Sequence, residues 1–343
     1  VKPSGKTPVL LALLVLLLGV ALLANLSLGS VYIPLKATLE ILAGGEGGRE
    51  SWGYIIWNYR LPKALTALLV GSGLSLSGLL MQTLFRNPLA GPFVLGVSSG
   101  ASLGAALLIM GASLLSGGAS AWLVNDVSLA VASGLGSLVV LLTVLLVSAR
   151  LKDAMALLIV GLMFGSITAA LVTVLSYFAP AEQLQQYIFW SYGSLGNLGW
   201  SQLGLLGLFC LVGTGIGLGL VKALNALLLG EKYAQSLGIS LSRTRAWIIL
   251  GTGLLAGGIT AFAGPIAFIG LAVPHLTRQL LKSQDHRILL PGVLLYGGIL
   301  MLFCDLVAQL PFSAYVLPIN AITSLVGAPV VIWLLVRRRR MIF

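Results

Sequence analysis

The sequence predicts an all-α, polytopic membrane protein of about ten transmembrane helices, with one folded polar segment between two of them. Three observations carry this. Of 343 residues, 58% are hydrophobic and only 8% charged, against about 25% charged in a soluble domain, and the mean hydropathy is +1.04. The 43 glycines suit helices that approach one another closely through small residues. The basic residues cluster at the ends of apolar runs, where they orient a chain in a membrane. The net charge of +11 is thereby explained without a nucleic-acid partner.

Taken in order, Lys2 and Lys6 precede an apolar run from Val9 to Leu28. That run is of membrane-spanning length and longer than a signal-peptide core, so it is read as a retained first span with its N-terminus inside. Spans are expected near 9–29, 62–84, 93–112, 122–148, 154–178, 201–220, 244–263, 265–282, 289–309 and 319–336, all within one transmembrane domain over 1–343. This count puts both termini in the cytoplasm. The inside loops then hold Lys2, Lys6, Arg86, Arg150, Lys152, the basic residues of 222–245, Arg278, Lys282, Arg287 and Arg337 to Arg340. The outside loops hold only Lys36, Arg49, Arg60 and Lys63, an asymmetry in line with the positive-inside rule.

Three outside segments stand out. Residues 30–61 read as a long loop whose Trp52, Trp57 and Tyr59 suit the headgroup level. Residues 179–200 contain a short surface helix, and 310–318, with two prolines, cannot be regular helix throughout. Ala90 to Gly96 (AGPFVLG) echoes Ala263 to Gly270 (AGPIAFIG), each opening a short span. Paired broken helices in inverted repeats are a transporter feature; chance in a glycine- and alanine-rich chain produces the same match.

Residues 222–245 (KALNALLLGEKYAQSLGISLSRTR) lie between two apolar, glycine-rich segments. They read as two short helices. Leu224, Ala226, Leu227 and Leu228 line a face of the first, Tyr233, Ala234 and Leu237 a face of the second, and Gly230 and Gly238 supply the turns. Lys222, Lys232, Arg243 and Arg245 outnumber Glu231 and place the segment inside. Two readings fit: a docking element for a soluble partner, or an interfacial helix on lipid headgroups.

No enzyme constellation is present. Asp126, Asp153 and Asp305 are far apart in sequence, and His275 and His286 suit structural or interfacial places better than metal ligation. Cys210 and Cys304 both fall in apolar spans, which indicates neither a disulfide nor a thiolate metal site. Ser4-Gly5-Lys6-Thr7 resembles the end of a phosphate-binding loop but lacks the upstream glycine and the preceding strand. Asp305, an intramembrane acid, is either functional or a helix-packing hydrogen-bond partner. Arg60 and Lys63 flank Pro62 against the charge trend, as exposed cations for an acidic external partner or as snorkelling anchors. Asn87-Pro88-Leu89-Ala90-Gly91-Pro92 cannot be helical throughout; it is a gate lining a water-filled path or a plain turn.

Several stretches resemble a known family. Arg60-Leu-Pro-Lys63, Met81-Gln82, Asn87-Pro-Leu-Ala90 and Leu95 to Ala101 (LGVSSGA) are similar to the permeases of type II ABC importers for iron-siderophores, haem and cobalamin. So are Leu229-Gly230-Glu231, Leu237-Gly238-Ile239, Phe268 to Leu271 with Val273-Pro274-His275, Asp285-His286-Arg287, Asp305 with Ala308, and Gly327-Ala328-Pro329. The resemblance covers nearly the whole chain after the first span.

It implies ten spans per subunit, a second and identical permease subunit, two cytoplasmic ABC ATPase subunits that use ATP and magnesium, and an external substrate-binding protein, in the bacterial inner membrane. Carried over by position, Glu231, Ala234, Leu237 and Gly238 belong to the ATPase-coupling motif, Arg60 and Lys63 dock the binding protein, and Asn87 and Leu89 form the cytoplasmic gate. Ser166 and Thr173 in the fifth span, and Asn320 and Thr323 in the tenth, line the path. The chain itself is expected to bind no cofactor or metal. It departs from the family in Val316-Leu-Pro-Ile-Asn320, where a Glu-Leu-Pro-Val/Ile-Gly run is usual, and in Gln309, where an Arg often stands. With no basic residue in 310–320, docking is expected to rest on one basic cluster per subunit. An iron-siderophore is the first expected cargo, with haem and cobalamin behind it. The competing readings are an ion-gradient-driven transporter and a membrane-embedded enzyme; the first needs an acid at a coupling position and the second a cluster of reactive side chains.

Overall fold

A computed structural model describes residues 7–45, 47–111, 124–151, 154–311, 313 and 315–336. Lys2, Lys6, Lys152, Asp153 and Arg337 to Arg340 lie outside the described residues, as does most of Ser4–Thr7. The described chain is helical without strands. Helix α1 is Thr7–Ser27, α2 Leu35–Leu42 and α3 Glu50–Ile55, which runs through a π turn at Ile56–Arg60 into α4, Leu61–Leu84. A 3-10 turn at Pro92–Leu95 leads into α5 (Val97–Ala106), extended by a π turn over Leu107–Gly111. Then follow α6 (Asp126–Arg150), α7 (Ala154–Phe178), α8 (Ala181–Ser191), α9 (Trp200–Gly219), α10 (Val221–Leu228) and α11 (Glu231–Ser236). The last four are α12 (Leu241–Ala263), α13 (Ile269–Leu281), α14 (His286–Ala308) and α15 (Ile319–Val336).

Among the described residues seven helices are long and apolar enough to cross a membrane: α1, α3–α4 as one rod, α6, α7, α9, α12 and α14. The shorter apolar α5 and α15, with α13 in the place of the expected span 265–282, bring the helices at expected span positions to ten. The short surface helix expected in 179–200 is α8, and 310–318 is irregular where it is described. One expectation is corrected. Residues 30–61 are not a loop, because α2, α3 and the π turn at Ile56–Arg60 together fill more than half of them and α3 is continuous with α4. Pro62 does not break the rod because the backbone ladder widens into the π turn at Ile56–Arg60 just before it, the local adjustment that lets a spanning helix accommodate proline.

Helix α4 is the axis of the bundle. It packs against α14, α12, α13 and α9 and is buried almost continuously from Val70 to Leu84. Small residues make this possible: a Cβ on Gly71 would collide with the Gly297 carbonyl of α14, and one on Gly78 with the Gly270 carbonyl of α13. Elsewhere α5 crosses α6 on glycines, and a Cβ on Gly100 would lie 2.5 Å from the Gly136 carbonyl. Gly100→Ala is therefore expected to cost about 1–3 kcal/mol by overpacking. Gly134→Ala, whose Cβ would meet only the Ala261 methyl at 3.8 Å, should be near neutral, and thermal unfolding in detergent compares the two.

The two echoing segments meet. Each is a non-helical run into a short helix, with positive φ at Gly96 and at Gly264 and Phe268. A Cβ on Gly270 would lie 2.7 Å from Pro92 Cδ and 2.7 Å from the Leu74 carbonyl. Both breaks thus close on the middle of α4, buried in protein as irregular backbone at membrane depth must be.

Candidate functional site: the coupling segment, the gate turn and the opposite end

At one end of the bundle, α10 and α11 form a compact unit. Leu224, Ala226 and Leu227 turn inward from α10. Gly230 (φ +113°) and Gly238 (φ +82°) sit on either side of α11 in backbone conformations that favour glycine. Glu231 accepts a 2.7 Å ion pair from Arg245 at the start of α12, which fixes α11 to a span. The expected face of α11 is corrected. Tyr233 and Leu237 are 50% and 58% exposed, while Ala234 is fully buried, since residues i and i+4 share a face and i+1 points about 100° away. The segment presents Leu229, Tyr233 and Leu237 outward and seats itself through Ala234.

Asn225 of α10 joins this unit to the bundle. Its Nδ2 donates to Asp285 Oδ1 at 2.7 Å. Its Oδ1 accepts from the His286 backbone N–H at 2.9 Å and stands 2.8 Å from His286 Nδ1. With Asn225 Oδ1 already an acceptor, Nδ1 of the imidazole is the donor. His286, fully buried at the head of α14, lies 2.9 Å from Thr83 Oγ1 of α4 through Nε2. Asp285 caps α14; the Arg287 backbone N–H is the largest influence holding its carboxyl below the usual range, burial opposes it, and the Asn225 amide adds to the lowering. Next to Thr83, Gln82 accepts from Arg278 of α13 at 2.6 Å and donates to the Leu271 carbonyl at 3.1 Å.

Directly after these residues α4 ends in the turn expected to be the gate. Arg86 has φ +46°, the Asn87 N–H bonds back to the Gln82 carbonyl, and Asn87 Oδ1 accepts from the Leu89 N–H at 2.9 Å. Leu89 is exposed. A Cβ on Gly230 would stand 3.8 Å from Arg86 Nη1, so the gate turn and the α10–α11 turn are neighbours. Sequence reasoning found the two short helices and the irregular turn but missed the Asn225–His286–Thr83 chain between them, for which the Asp285-His286-Arg287 motif was a sequence signal.

At the opposite end the expected pair of exposed cations is corrected. Arg60 is only 9% exposed, and its guanidinium donates to the Leu26 carbonyl at 2.6 Å, the Ser27 carbonyl at 3.0 Å and the Val31 carbonyl. It holds the last carbonyls of α1 and the chain just after it against α4. Lys63 Nζ lies 3.0 Å from Asp305 Oδ1 of α14, a carboxylate 2% exposed. Gln309 takes the other oxygen at 2.7 Å. Gln309, where the resembled family often has Arg, thus serves as a neutral donor to an acid that Lys63 already neutralises.

Of the expected path residues, Ser166 and Thr173 are on the exposed side of α7, with hydroxyls bonded to the Leu162 and Ala169 carbonyls of their own helix. Asn320 accepts from the Ala267 N–H at 3.0 Å and bridges α15 to the break before α13. Thr323 is corrected: it is fully buried and its hydroxyl donates to the Asn320 carbonyl, so it lines no surface in this conformation. Among the described residues no His, Cys, Asp or Glu cluster could hold a metal ion.

The comparisons agree with this architecture. The model of the FecCD transport family matches residues 15–337. The vitamin B12 import system permease BtuC of Klebsiella pneumoniae is 38% identical over 331 residues, 95% of this chain and 93% of that protein. BtuC of Citrobacter koseri is 38% identical over 320 residues, 93% and 94% of the two chains. A solved ABC transporter of the metal-chelate type, captured facing inward, superposes with a TM-score of 0.81 at 32% identity, over 97% of this chain and 99% of that one. PsaBC from Streptococcus pneumoniae, at 12% identity and a TM-score of 0.53, shares the fold. The chain belongs to the FecCD transport family, and is a multi-pass permease of the type II ABC importer class rather than an enzyme.

Proposed function

We propose that two copies of this chain form the channel of an ATP-driven importer in the bacterial inner membrane, moving a bulky metal chelate inward along their interface. The observation that carries the reading is α7. It packs on α5 and leaves Ile159, Met163, Ile167, Leu171 and Val174 exposed along its length. Its hydroxyls at Ser166 and Thr173 are turned back on its own carbonyls. Such a wall suits a second subunit and a wide, weakly adhesive path, with affinity left to an external binding protein.

In this reading 222–245 faces the cytoplasm and docks an ABC ATPase through Leu229, Tyr233 and Leu237. ATP and magnesium are used there, and the chain itself binds no cofactor. Arg60 and Lys63 face outward, where the burial of Arg60 and the pairing of Lys63 with Asp305 make them a support for the docking surface rather than its exposed contacts. Cobalamin becomes the first candidate cargo because both BtuC relatives are named for its import, with a ferric siderophore or haem next. An ion-driven mechanism loses its best residue, since Asp305 is already paired with Lys63. Proteoliposomes carrying the chain with its ATPase and binding protein are expected to take up cobalamin only with ATP. Uptake that needs an ion gradient and no ATPase overturns the mechanism; ATP-dependent uptake of a ferric siderophore or haem instead of cobalamin corrects the cargo alone.

A further inference from the structure

Away from the gate, the coupling segment and the Lys63–Asp305 pair, two confluent cavities lie between α6, α9 and α12, at the end of the bundle opposite 222–245. The larger, about 460 Å³, is apolar, walled by residues such as Val131, Gly134, Leu138, Leu205 and Gly257. The outward side chains beside it (Val127, Val131, Leu135, Leu138, Leu205 and Leu208) are all more than two-fifths exposed. On a membrane protein such a surface meets acyl chains, so the cleft opens to lipid.

The smaller cavity, about 220 Å³, sits above it toward the membrane surface and shares Ala130, Gln202, Ala261 and Phe262 with it. Its lining is mixed, and the polar groups in it are Asp126, Gln186, Ser194, Asn197 and Gln202. The two amides Asn197 and Gln202 are oriented. Asn197 Oδ1 accepts from Ser194 Oγ at 3.0 Å and Gln202 Oε1 from the Gly199 N–H at 3.0 Å. Each carbonyl end is engaged, and neither amide nitrogen has an acceptor among the described residues. The Asp126 carboxylate meets no cation among the described residues. The pocket therefore offers two N–H donors for an anion and one carboxylate for a cation, directly above an apolar cleft.

We infer that the joined cavities are a specific site for one zwitterionic phospholipid with a primary ammonium headgroup, phosphatidylethanolamine in type. The phosphate faces the Asn197 and Gln202 amides, the ammonium faces Asp126, and an acyl chain fills the cleft between α6, α9 and α12. A carboxylate beside the headgroup disfavours a net-anionic lipid, and a quaternary ammonium cannot donate a hydrogen bond to Asp126. Acyl length alone does not select the lipid; the polar cavity does.

The site does not depend on the transport reading and is tested by native mass spectrometry of the full chain in detergent. Phosphatidylethanolamine, phosphatidylglycerol and phosphatidylcholine of equal chain length are supplied in turn. One phosphatidylethanolamine per chain is expected to be retained about tenfold more strongly than either competitor, the equivalent of a single charge-assisted contact. Asp126→Asn should level the three headgroups. Gly134→Leu, whose Cβ would meet only the Ala261 methyl at 3.8 Å, should abolish retention of all three, with circular dichroism confirming the fold; Ala130→Leu fills the same cleft should that variant not fold. Equal retention of the three lipids by the wild type marks annular lipid only and overturns the proposal, as does undiminished retention in both cleft-filling variants.

Discussion

Lys63→Met is expected to destabilise the protein by about 3–5 kcal/mol, the cost of leaving a buried charge without its partner. Asp305 is nearly inaccessible and its two oxygens are held by Lys63 Nζ at 3.0 Å and Gln309 Nε2 at 2.7 Å. An amide donor does not neutralise a carboxylate, so with Met at 63 the acid must either stay charged in a dry site or take up a proton. The double variant Lys63→Met with Asp305→Leu should recover most of the loss, since an apolar replacement of a whole buried pair is often neutral or better. Thermal unfolding of the four proteins in detergent gives the coupling energy. The same variants separate two roles of Lys63. If it is a strut between α4 and α14, affinity for the binding protein returns with stability in the double variant; if it is itself a docking contact, affinity stays low. An unchanged stability in Lys63→Met alone would show that the pair contributes nothing.

Hydropathy and charge were enough to read the ten spans, the turns at Gly230 and Gly238, the break at 87–92 and the surface helix in 179–200. These depend on how each segment partitions between water and lipid, or on glycine and proline locally, and both are written in short windows. What stayed hidden depends on neighbours distant in sequence. Arg60 looked like an exposed cation because its partners are backbone carbonyls of Leu26, Ser27 and Val31, which carry no side-chain signature. Asp305 is 242 positions from Lys63 (305 − 63). The central place of α4 was equally invisible, since a span facing protein and a span facing lipid are both apolar. Its run of small residues from Gly71 to Gly78 is the signal that could have shown it, because lipid-facing helices gain nothing from close approach. Ala234 and Thr323 were misplaced for a third reason. In short or kinked helices one residue of phase error moves a side chain to another face.

Asn225→Leu is expected to uncouple the importer: transport per ATP hydrolysed should fall by about tenfold, within the range of 1–3 kcal/mol typical of coupling between sites, while hydrolysis continues. Asn225 stands on α10, the first helix of the docking segment, and makes three polar contacts, all to the Asp285–His286 corner of α14. His286 passes the connection to Thr83 on α4. The gate turn begins three residues later and is bonded back to Gln82. In the proposed mechanism a shift of 222–245 would therefore reach the turn at 86–90 through one buried imidazole rather than through lipid-exposed packing. Leu is close to Asn in size, so the substitution removes hydrogen bonds with little change of volume. Thr83→Val breaks the other end of the same chain. If the chain transmits as a unit, the two single variants and the double variant should lose transport equally. If the contacts only support local packing, the losses should add, thermal stability should fall in step with them, and hydrolysis should decline together with transport; that pattern would remove His286 from the mechanism and leave the α10–α11 segment to act on the gate through the Arg86–Gly230 approach alone.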